Sequence, residues 1–365
     1  MKNPLILTAA VFTVSAPLLF AAAPADSTWI STSSTTWANN ANWSPASFPQ
    51  PGIGAILADS GTIQHNLDIA IAATSLGVQF NAFAGGAGFT IGSTVATTFN
   101  SRAGGTFSGI VNNDDNTQTF NAPMGMFTLT GSIGSLASQT WRASSGPLIF
   151  SGIYSGSAPT VDNNGGRLTV DGAFNTTIGS PGGRGDIVDA GGLTKSGAGT
   201  LTLGGTVANS YSGSTIINGG SIVAAKASAF GNGSSALVLG GGSLNSGGFS
   251  HGFGTLTLTN ESTLDLGAGT SALTFAASSG QSWSGILHIL NFTAGTDSIR
   301  VGTSASSLTF SQLSEISWDD QPGINQTIVD ANGFLVPIPE PSTVTLSVLG
   351  GFGIALALFN RRKKG

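Results

Sequence analysis

The sequence predicts an all-β protein, and within that class a right-handed parallel β-helix, preceded by a cleavable signal helix and followed by one C-terminal transmembrane helix. Three observations point there. A short unit, small residue then apolar–any–apolar, recurs along the chain with Gly-Gly, Asn-Gly or Ser-Gly pairs between copies. Glycine makes up 54 of 365 residues and serine plus threonine 87, while only 8 % are charged. No stretch of the body carries the 3.6-residue apolar period of an amphipathic helix.

The first 25 residues have the tripartite pattern of a secretory signal: Lys2, an apolar run from Leu5 to Phe20, and the small-residue exit Ala21-Ala22-Ala23-Pro24-Ala25. Cleavage after Ala23 would place Pro24 directly behind the cut, so the bond between Ala25 and Asp26 is favoured over it. An uncleaved anchor is the other reading. Residues 26–60 follow as an N-terminal cap in which Trp29, Trp37 and Trp43 supply aromatic bulk and Pro45, Pro49 and Pro51 end strand pairing.

Residues 61–309 carry the repeated unit. Gly166-Arg167-Leu168-Thr169-Val170, Gly199-Thr200-Leu201-Thr202-Leu203, Gly254-Thr255-Leu256-Thr257-Leu258 and Ser306-Ser307-Leu308-Thr309-Phe310 are four of its copies. Period-two alternation puts each apolar pair on one face of a strand and the threonine on the other. Repetition of one unit favours a solenoid over the alternative of paired β-sandwiches, because each coil buries its apolar face against the next. Stacking also accounts for the poverty of charge: identical positions lie about 4.8 Å apart, where columns of like charge repel. At roughly 20–25 residues per coil the expectation is about 12–15 coils. The stretch 310–338, interrupted by Asp319-Asp320 and Pro322-Gly323, is expected to cap the far end and lead into a linker.

The stretch 191–222, from Gly191-Gly192-Leu193-Thr194-Lys195 to Ile217-Asn218-Gly219-Gly220-Ser221-Ile222, resembles the autotransporter-associated β-strand repeat. That resemblance implies a β-helical region of a secreted bacterial surface protein. The translocator barrel of autotransporters does not follow; residues 339–365 do. There Pro339-Glu340-Pro341-Ser342-Thr343 precedes an uncharged apolar segment, counted as a transmembrane helix over 343–359, and then Arg361-Arg362-Lys363-Lys364. Sixteen or seventeen helical residues span about 25 Å, and the basic cluster makes up the remainder by snorkelling. A plain anchor explains helix and charges but leaves the Pro-Glu-Pro unexplained. The three parts together resemble the PEP-CTERM protein-sorting signal. The resemblance implies processing by an exosortase in the inner membrane and a setting of exopolysaccharide and biofilm production.

Little ionic chemistry remains. Without its two ends the body keeps seven bases against sixteen acids, which disfavours nucleic acid as a partner. The absence of cysteine removes thiolate metal sites and cysteine nucleophiles. His65, His251 and His288 lack ligand spacing, and Glu261, Glu315 and the scattered aspartates mark no glycosidase pair. Asp114-Asp115-Asn116 and Asp162-Asn163-Asn164-Gly165 suit Asx-turns better than calcium loops, and Arg184-Gly185-Asp186 suits a corner. No catalytic residue, metal or cofactor is expected. The expected role is a non-catalytic surface or matrix protein whose partners are the secretion machinery, the exosortase, the inner membrane during sorting, and exopolysaccharide or neighbouring cells. Its destination is the cell surface or extracellular matrix after transient anchoring. The alternatives are a carbohydrate-active β-helix enzyme, lyase or hydrolase, and a binding module for a specific ligand or metal.

Overall fold

The computed structural model describes residues 26–46, 55–58, 66–68, 74–75, 77–82, 86–92, 97–101, 109–128, 138–153 and 157–340. They form a parallel β-solenoid of about nine turns. One wall is an eleven-stranded sheet that starts with Trp43–Ser44 and Ser27–Trp29 and ends at Leu256–Asn260. A second eleven-stranded wall runs from Asn66–Asp68 to Ile316–Trp318, and all its neighbours are parallel. A third side carries five strands in the N-terminal half, from Thr74–Ser75 to Ile187–Val188, and three near the C-terminal end.

The coil count of 12–15 is corrected downward, and the third side is the reason. Where it is a full sheet the coil is long: 32 residues separate Gln79 from its partner Val111. Past that sheet the coil shortens to 22 residues, as from Thr194 to Ile216 and from Ile216 to Val238.

Strands of two to six residues suffice because those inside a sheet are paired on both edges and buried on one face. On the first wall the inward column runs Val78, Ile110, Trp141, Val170, Lys195, Ile217 and Leu239, all buried. Opposite it stand Leu67, Ile91, Phe120, Phe150, Ile178, Leu203 and Ala224. The two columns meet at Trp141, whose ring stacks on Phe150 at 4.1 Å, with Phe150 stacked on Phe120 at 4.9 Å.

Coils this close leave no room for a side chain at certain corners. Gly172 has φ +113° and a Cβ there would lie 2.1 Å from the carbonyl oxygen of Ala143 in the coil below. Gly172→Ala is therefore expected to destabilise the protein by about 2–3 kcal/mol, from backbone strain and displaced neighbours, as read by urea denaturation.

Both ends are covered. Trp29, Trp37 and Trp43 are fully buried and meet edge to face, at 5.1 Å and 4.7 Å for the pairs that include Trp43. Trp43–Ser44 lies antiparallel on the first strand and occupies its open edge. At the other end the expected strand at Ser306–Phe310 is overturned: Phe310–Ser314 is a short helix. Thr309 and Gln312 form a capping box, an N-terminal signal that outweighs the apolar alternation. A hairpin of Ile324–Val329 with Leu335–Pro339 completes this end and runs through residue 338, where the linker was expected to give way to the tail.

Candidate functional site

Outward positions are set by the same alternation, and they are mostly hydroxyls and amides. One column of the second wall reads Thr200, Ser221, Ser243, Thr263, His288 and Ser317 in successive register. A column of the first wall reads Thr140, Thr169, Thr194, Ile216, Val238 and Thr257. Arg142 and Asp171, register partners, neutralise one another at 2.8 Å. The result is a surface on which runs of Ser and Thr, spaced about 4.8 Å apart along the stack, are interrupted on the first wall by Ile216 and Val238.

One ionic cluster interrupts it. His288 places Nδ1 2.7 Å from Asp319 Oδ2 and Nε2 3.0 Å from Glu261 Oε1, joining three successive coils. Ser317 Oγ donates to Asp319, and Asp265 accepts from both Asn245 and Asn291 at 2.6 Å. Both ring nitrogens thus face carboxylate oxygens. The imidazole fills the gap between Glu261 and Asp319, where a glycosidase needs its two carboxyls to flank a sugar bond. Among the described residues no group of three His, Asp or Glu side chains has the geometry to hold a metal ion.

Three cations are turned to structural use, which the sequence reading missed. The Arg167 guanidinium donates to the carbonyls of Leu193 and Ser214 and to the hydroxyls of Thr194 and Ser214, tying three coils. Lys226 Nζ donates to the carbonyls of Gly185 and Val207 at 2.7 and 2.6 Å and to Asn209 Oδ1. Lys195 occupies the inward column and reaches the carbonyls of Ser196 and Gly197. Burial lowers the pKa of both lysines to about 8, Asp171 and Asp186 opposing that shift at Lys195 and Lys226 respectively. The signal was present in the alternation, since Leu193 and Lys195 share the inward face of one strand.

Other candidates resolve into structure. Asp186 is buried; burial raises its pKa, but hydrogen bonds from Arg184 and the Thr160 N–H outweigh this and hold it below the usual range. The Arg-Gly-Asp triplet is thus a corner, with Gly185 at φ +71°. Asp162 and Asp114 accept from Asn164 N and Asn116 N, as Asx-turns do. His251 is buried; desolvation lowers its pKa, Nε2 faces the Ser246 carbonyl at 3.1 Å, and the ring meets Phe230 edge to face. A pocket of about 210 Å³ opens beside it, lined by Asn209, Ser228, Asn232 and glycine backbone. The three N-terminal tryptophans are too buried to stack on a sugar.

Of the processing residues, Asp26 lies immediately before the first strand, Ser27–Trp29. Pro339 ends the last strand, paired with Ile324, and the Glu340 N–H donates to the Gly323 carbonyl at 2.7 Å. Ala25, Pro341, Arg361, Arg362, Lys363, Lys364, His65 and the apolar segment 343–359 lie outside the described residues. Among the described residues no helix is long and apolar enough to cross a membrane.

Neither the curated proteins nor the solved structures contain a match to the chain. Within it, residues 193–224, the stretch that carries Lys195 and begins the short coils, match the family model of the passenger-associated-transport-repeat, a repeat that fits a secreted or surface protein.

Proposed function

We propose that this chain is a non-catalytic secreted surface or matrix protein, sorted by an exosortase and associated with exopolysaccharide, biofilm or adhesion between neighbouring cells. The observation that carries the reading is the run of outward hydroxyls over a continuous apolar interior, Thr200, Ser221, Ser243 and Thr263 on the second wall and Thr140 and Thr169 on the first. Short hydroxyls and amides at regular spacing offer repeated hydrogen bonds to a polysaccharide hydroxyl array. The scarcity of charge favours a neutral polymer over nucleic acid. The solenoid is taken as right-handed, the sense that parallel crossovers adopt. Signal removal is proposed at the Ala25–Asp26 bond, from the small-residue exit that precedes it, and transient anchoring in the inner membrane from the Pro339-Glu340-Pro341 motif and the apolar, basic-ended segment after it.

Mass spectrometry of the protein taken from its native envelope tests the sorting. The expected product begins at Asp26 and lacks the tail; a mature form retaining residues 339–365 intact overturns it. Co-sedimentation with the exopolysaccharide of the same cells tests the binding, and a protein left wholly in the supernatant argues against it.

The Glu261–His288–Asp319 cluster favours one second reading, a carbohydrate-active enzyme. Release of reducing or unsaturated sugar ends by the wild-type protein, lost in Glu261→Gln and Asp319→Asn, would install that reading in place of the first. The expected result is no release.

A further inference from the structure

The C-terminal cap ends in an apolar face that the solenoid does not use. In the hairpin, Thr327, Val329 and Leu335 are buried, and Trp318 Nε1 donates to Thr327 Oγ1 at 2.9 Å. Alternation turns the other set away from the core: Gln326, Ile328, Val336 and Ile338, with Ile328 opposite Val336 and Gln326 opposite Ile338. Ile328 is 46 % exposed, and the helix packed beside its strand begins with Phe310 at 89 %. Val336 and Ile338 are half-buried, so the face offers Ile328 as its open aliphatic with two partly covered ones beside it.

The chain beyond the hairpin says what covers them. Pro339 ends the strand, and the uncharged run begins at Val344. The intervening chain spans at most about 18 Å when extended. The interfacial layer of a bilayer takes up about 5–8 Å of that. A membrane-inserted tail therefore holds the hairpin close to the lipid headgroups. Between Phe310 and Glu340 there are five acids and no Lys or Arg, so attraction to anionic lipid cannot drive the contact and apolar burial must. We infer that the outer face of the hairpin, with Ile328 at its centre and Phe310 beside it, rests in the lipid interface while the tail is anchored. This inference rests on the membrane reading of the tail. Its consequence is that Pro339-Glu340-Pro341 is presented at the lipid surface from a strand end, not from a free linker.

The absence of native cysteine allows clean single-site labelling of the full chain. A polarity-sensitive fluorophore is placed in turn on Ile328→Cys, on Leu349→Cys inside the apolar tail, and on Thr257→Cys on the solenoid wall. The proteins are reconstituted in phosphatidylcholine nanodiscs at one chain per disc. Blue-shifted emission and several-fold lower iodide quenching are expected at 349 and 328, with 257 open to the quencher. Protection at 349 with 328 as open as 257 overturns the lipid contact and leaves the tail reading standing. An open 349 overturns both. Protection at 328 that arises only with several chains per disc assigns the face to a second copy and likewise overturns the inference.

Discussion

Raising the pH from 7 to 10 is expected to make the solenoid more stable. Lys195 and Lys226 have folded-state pKa values lowered to about 8, against 10.5 when exposed. Between those values the unfolded chain holds two protons that the folded chain has released, so each step up in pH favours the folded state. The penalty of burying both charges is present in full below pH 8 and is relieved as pH rises toward 10.5. At 1.36 kcal/mol per pKa unit it is on the order of 3 kcal/mol for each lysine. A neutral amine still donates, so the carbonyls of Ser196, Gly197, Gly185 and Val207 keep their partner. Above about pH 10.5 the trend reverses. Tyr211 is fully buried, and desolvation raises its phenol above the usual value, so there the unfolded chain loses the proton first. Urea midpoints from pH 6 to 11 should rise and then fall. Lys195→Met, which fits the column between Val170 and Ile217, should lose about half of the rise. A flat profile in the wild-type protein would refute the assignment.

Trp141→Ala is expected to cost about 3–5 kcal/mol, the usual range for emptying a large aromatic site in a core. Trp141 is 1 % exposed and bridges the walls by stacking on Phe150. Coils above and below it are held by backbone ladders that cannot close by the width of a ring, so the cavity stays open. Because each coil contacts only its neighbours, the loss should concentrate in coils near Gln139–Ala143. Amide hydrogen exchange is expected to accelerate there and in Gly109–Asn113 and Leu168–Gly172, which pair with it, while Ser298–Val301 keeps its protection. Uniform acceleration along the chain would mean that the solenoid melts as one unit.

Much of the fold was legible in the residues. Leu168-Thr169-Val170 and Leu201-Thr202-Leu203 each announce one buried and one open face, and a unit repeated many times has few ways to bury the same face except by stacking. The aromatic bulk of Trp29, Trp37 and Trp43 was legible as buried, whereas the pairing of Ala55–Ala58 with the Trp29 strand, inside the stretch expected to be a cap, was not. Ser306–Phe310 was misread since its strand period overlaps a capping box that begins at Thr309 and is completed by Gln312. There the side-chain hydrogen bonds from Gln312 to the carbonyls of Ser278 and Gln281, one coil earlier in the chain's path, favour the helix.

The candidate site was far less legible. Glu261, His288 and Asp319 are 27 and 31 residues apart along the chain and meet only because successive coils bring them into neighbouring positions. The uses of Arg167 and Lys226 are hidden for the same reason, their partners lying on other coils. Composition and alternation are local properties, so they settle the strand, its inner face and the scarcity of charge. The number of turns, the length of each coil and the company each polar side chain keeps depend on register between distant segments. That register is a matter of three-dimensional closure, where one corner glycine more or less moves every later residue to a different neighbour.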